Sequence, residues 1–110
     1  MKGYLLKFYI EENENYKGKL LYEWLLTEAQ SIGLKGATVS HGVESFDRHG
    51  KLHAAHFFEL ADRLIQIEFV VNIEQEQLFL STISQENISI FYTKTPIEFG
   101  YVGHKENNNV

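Results

Sequence analysis

The chain has 110 residues, and its 10 basic and 15 acidic side chains leave a formal net charge of −5 at pH 7. That length suits one domain with its own hydrophobic core, and 44% hydrophobic with 14% aromatic residues excludes a disordered chain. The absence of cysteine excludes a disulfide framework and a thiolate zinc site, and the acidic balance argues against nucleic-acid binding. No apolar run reaches the roughly 18 residues of a bilayer span. Residues 1–7 return to charge too soon for a secretory signal. The expectation is a soluble, cytoplasmic domain over 1–104 with a flexible tail at 105–110.

In chain order, Tyr4, Leu6, Phe8 and Ile10 alternate with Leu5, Lys7 and Tyr9, which predicts a strand. The polar run Glu11–Asn15 breaks it. Between Lys19 and Ile32 the period changes: Leu21, Tyr22, Leu25, Leu26, Ala29 and Ile32 make one helical stripe, and Gly33 is its stop. Residues 36–46 alternate again, with Ala37, Val39, His41 and Val43 on one side, and Gly36 is expected to serve the turn's backbone geometry. An exposed loop follows at Arg48–Lys51.

The strongest strand is expected over 64–71, with Ile65, Ile67, Phe69 and Val71 to one side and Gln66, Glu68 and Val70 to the other. A helix over 73–85 would bury Ile73, Leu78, Leu80 and Ile83, and Ile88, Ile90 and Tyr92 would form the last strand. The chain is expected to become irregular after Pro96. The order β-α-β-β-α-β is that of an α+β ferredoxin-like sandwich, with two helices on one face of a four-stranded antiparallel sheet. Both sides of the third strand are partly apolar, so the uncovered face calls for a partner subunit.

Several runs at matching places make the sequence resemble the PII-like signalling proteins, in the branch called domain of unknown function 190. They are Met1–Lys7, Tyr16–Glu23 (with Leu20 where proline is common), Gly33–Val39, then Phe46, His49, Leu52 and His53, and Ile67–Val70. The resemblance covers about residues 1 to 93. It implies a PII-like homotrimer whose intersubunit clefts take a small effector, plausibly an adenine nucleotide. It also implies a connecting loop, about residues 46–56, that contacts a partner such as a membrane transporter or a metabolic enzyme. Carried over by position, Gly36, Ala37, Thr38, Glu68 and Val70 would bind the ligand, and Phe46, Arg48, His49 and His53 would serve the partner loop.

One departure bears on the ligand. Where PII proteins have a glycine-rich, basic phosphate loop before the last strand, this chain has Ser84-Gln85-Glu86-Asn87. Lys94 and Lys105 are the remaining candidates for the basic residues that follow it.

The histidines admit two readings. His49, His53 and His56 have spacings that suit imidazole ligation, so a divalent-metal-binding trimer is the alternative function. Otherwise His53 packs at the loop base, and His41 is a core or interface histidine. Glu68 either bonds across a subunit boundary or accepts from a ligand's amine. Tyr4, Tyr9, Tyr22 and Trp24 are assigned to packing, because the basic-aromatic RNA-recognition signature is absent. No nucleophile, base and orienting residue assemble into a set, so the reading is a regulator and not an enzyme.

Overall fold

The computed structural model describes residues 1–41, 44–46, 52–54 and 64–103, with 44–46 and 52–54 described by backbone only. The main elements are β1 (Lys2–Glu11), α1 (Leu21–Ser31), β4 (Thr38–His41), β7 (Leu64–Asn72), α2 (Ile73–Ser84) and β8 (Phe91–Glu98). Two small hairpins complete them: β2 (Asn15–Tyr16) with β3 (Lys19–Leu20), and β5 (Glu44–Phe46) with β6 (Leu52–Ala54). The four long strands form one antiparallel sheet in the order β4-β7-β1-β8. This is the expected ferredoxin-like arrangement.

Period two decides what is buried. Leu6, Phe8 and Ile10 of β1 and Ile65, Ile67, Phe69 and Val71 of β7 turn to the helices and are almost completely buried. Phe8, Phe69 and Phe79 meet edge-on, with ring centroids 5.0 to 5.9 Å apart, and Phe79 thereby fixes α2 to the two central strands. From α1 the core receives Leu21, Trp24, Leu25 and Ala29.

Local signals set the helix ends. Gly33 adopts φ +94°, its N–H donates to Gln30, and the Leu34 N–H donates to Ala29. These two bonds make a Schellman stop, with Leu34 buried behind it. At α2 the Asn72 side chain accepts from the Gln75 N–H while the Gln75 side chain accepts from the Asn72 N–H, a reciprocal cap. Lys17 and Gly18 both take positive φ, as a two-residue hairpin turn between β2 and β3 requires.

The structure corrects several expectations. The strand expected over 36–46 is divided: β4 pairs with β7, whereas β5 pairs with β6. All of β4 is exposed, because it is an edge strand and α2 packs on β1 and β7. His41 is therefore no core residue; it lies 3.7 Å from Glu12. In α2 the buried apolar residues are Phe79 and Ile83, while Ile73 and Leu78 are half-exposed. The capped start at Asn72 sets that helical phase. The last strand begins at Phe91 and runs through Pro96, which an edge strand tolerates because one side of its ladder is unused. Ile88 and Ile90 pack against the core just before it. Residues 105–110 lie outside the described residues.

Two glycines separate clearly. A Cβ on Gly3 would clash with the Val71 carbonyl oxygen and lie 2.9 Å from Phe99, whereas one on Gly36 would meet nothing within 4 Å. Gly36 also lacks the positive φ that would require glycine. Gly3→Ala is therefore expected to destabilise by about 1–3 kcal/mol or more, and Gly36→Ala by no more than about 0.5 kcal/mol. Chemical denaturation of the two variants checks this contrast.

Candidate functional site

The core faces of β1 and β7 leave their alternate residues on the open side of the sheet. The ladders align these into rows that cross the strands. One row is Thr38, Glu68, Lys7 and Thr93, one residue from each of β4, β7, β1 and β8. To one side lie Ser40, Gln66, Tyr9 and Phe91, with the Tyr9 and Phe91 rings 5.5 Å apart. To the other lie Val70, Leu5 and Thr95. A polar row thus crosses the sheet between an aromatic neighbour and an aliphatic one.

Within the polar row, Lys7 Nζ lies 3.4 Å from Glu68 Oε2, and the two side chains keep 29% and 33% exposure. A pair so open to solvent adds at most about 1 kcal/mol to stability. Thr38 is directly opposite Glu68. Val70, two residues along the same side, is 51% exposed. Gly36 and Ala37 are exposed and lead directly into β4. Thr38, Glu68 and Val70 are therefore brought together on one face at the β4–β7 edge. Lys7 escapes the sequence reading because its neighbour comes from a strand about sixty residues away.

For the connecting segment, Phe46 pairs with Leu52 and Ser45 with His53 in the β5–β6 ladder. Arg48, His49 and His56 lie outside the described residues. Among the described residues, no group of three His, Asp or Glu side chains is placed to hold a metal ion. Among them, too, no helix is long and apolar enough to cross a membrane.

The stretch 84–87 is tied down by its acid. Tyr16 donates to Glu86 Oε1 at 2.5 Å, and Lys17 Nζ lies 3.1 Å from the same oxygen. Tyr16 in turn meets Trp24 edge-on. Glu86 thus anchors the β2–β3 turn to the segment after α2. Lys94 is likewise committed elsewhere: it binds the buried Glu76 at 2.9 Å and lies over the Tyr4 ring, on the helix side of the sheet. It does not reach the open face. Lys105 lies outside the described residues.

The hydrogen bond from Tyr16, reinforced by Lys17, lowers the Glu86 pKa from its ordinary 4.5. The hydrogen bond to Glu86 raises those of Tyr16 and Lys17. A lowered acid contributes stability above its unfolded value and loses it as pH falls through its folded value. The raised groups contribute below their ordinary 10.0 and 10.5 and lose that contribution at higher pH. Melting curves for the parent and Glu86→Gln between about pH 7 and about pH 2 should differ at neutral pH and converge as Glu86 protonates. A constant gap across that range would contradict this account.

A family model, DUF190, described as "Uncharacterized ACR", matches residues 3–97. A UPF0166 protein of Aquifex aeolicus (strain VF5) is 30% identical over 84 residues, which is 76% of this chain and 80% of that protein. Among solved structures, CPII of Thiomonas intermedia K12, bound to ADP and bicarbonate, superposes with a TM-score of 0.66 at 19% identity, covering 92% of this chain and 91% of CPII. A Thermus thermophilus protein described as PII-like gives 0.65 at 17% identity, covering 88% of each chain. At these identities the structural likeness establishes the fold.

Proposed function

The chain belongs to the DUF190 family and has the PII-like signalling fold, and from that premise we propose that it is a regulatory protein that binds an adenine nucleotide. The observation that carries this reading is the register that sets Thr38 opposite Glu68. A hydroxyl and a carboxylate so placed offer an acceptor for an exocyclic amine and a donor for the ring nitrogen beside it, the pattern of adenine's edge. Val70, Ala37 and Gly36 would supply apolar contact and backbone approach. CPII, which has the same fold, has been seen with ADP bound, and this supports the choice of ligand.

The open face carries Val70 and Phe91 at 51% and 69% exposure. In this reading a homotrimer covers it and places the ligand in clefts between subunits. The trimer and the partner loop around Phe46, Arg48, His49 and His53 come from the family resemblance. The effector would act by binding two states of that loop unequally, which is the condition for allostery. The role is regulatory and not enzymatic.

The test is thermal melting with ADP, AMP and ATP after chelation, with mass by light scattering. A ligand at about 100 times its Kd stabilises by about 2.7 kcal/mol. ADP should raise the melting temperature of the parent, and raise that of Thr38→Val and Glu68→Ala less, in a particle of trimer mass. No shift with any adenine nucleotide would overturn the reading.

A further inference from the structure

We propose that Lys7 is a positioning residue for the nucleotide site. It holds the Glu68 carboxylate where that group accepts from the ligand's exocyclic amine. This inference rests on the adenine-nucleotide reading above and adds a residue from β1 to it.

Glu68 stands on a central strand, between Lys7 on β1 and Thr38 on β4. Lys7 engages Oε2 at 3.4 Å. A glutamate side chain with no such contact samples several rotamers in solvent, and fixing it on binding costs affinity. An ammonium group only donates hydrogen bonds, so Lys7 leaves the acceptor character of the carboxylate intact. With Lys7 on Oε2, Oε1 is the oxygen that would accept from a ligand lying over Thr38.

A purely structural role explains the pair poorly. On the helix side the same two strands pair Leu6 with Phe69 and Phe8 with Ile67, all apolar and buried. On the open side, two residues along each strand, Leu5 pairs with Val70. The single oppositely charged cross-strand pair of the β1–β7 ladder thus falls in the row that contains Thr38. An ion pair about a third exposed is a weak stabiliser, but it can orient one carboxylate.

The experiment is calorimetric titration of ADP into the full chain and its variants, with melting temperature recorded for each. Lys7→Met should weaken ADP binding by about tenfold, the loss expected for a charge-assisted contact set loose. Lys7→Arg keeps a cation in place and should bind within about threefold of the parent. The exchange Lys7→Glu with Glu68→Lys separates orientation from structure: it restores the ion pair and the melting temperature but puts a donor where an acceptor is needed, so ADP binding stays lost. If Lys7→Met binds ADP like the parent, or the exchange restores affinity, Lys7 is only a structural partner and the inference falls. If the parent itself does not bind ADP, the adenine-nucleotide reading falls, and this inference with it.

Discussion

The edge-to-face contact of Phe8, Phe69 and Phe79 is the constraint on which the rest depends. It joins the two central strands to α2, and it fixes which side of each strand is the inside. Because side chains alternate strictly along a strand, burying Phe8 and Phe69 sends Lys7, Glu68 and Val70 to the other side. A slip of one residue in β7 would place Glu68 in the core and Phe69 in solvent. The same packing therefore supplies both the stability of the sheet and the position of the candidate site.

The molecule divides its charges accordingly. On the helix side Glu76 is buried and answered by Lys94, with the Tyr4 ring against the ammonium. Removing either partner there would leave a charge unpaired or poorly satisfied. On the open side Lys7 and Glu68 pair with each other and remain about a third exposed. At the end of α2, Glu86 is engaged by Tyr16 and Lys17. An acid at that place, already held by a tyrosine and a lysine, offers a phosphate group no glycine nest. In the proposed reading, the open face with its polar row is where a ligand's base would be recognised.

Much of this is legible in the sequence. The alternation in residues 4–10 and 64–71 names the buried side of both central strands, and Gly33 marks the end of α1. The order of elements follows from those periods. What is not legible depends on pairing between distant segments. Glu68 is a candidate from the sequence, but Lys7 is an ordinary charged residue until register joins the two, and Gly3 shows its close approach to Val71 only in the folded sheet. The exposure of His41 follows from β4 being at the sheet edge, which no local pattern reveals. For α2 the signal is present but outweighed: Asn72-x-x-Gln75 is a capping pattern that fixes the helical phase and turns Phe79 inward, whereas the spacing of Ile73 and Leu78 suggests another face.

One side of the sheet builds the core, and in the proposed reading the other, at its β4–β7 edge, receives the ligand. Amide hydrogen exchange with and without ADP separates the two sides, because exchange reports local opening along the whole backbone. The account predicts new protection concentrated at residues 36–40 and 66–70. Protection confined to residues 84–90 or to α1, with the β4–β7 edge unchanged, would contradict it.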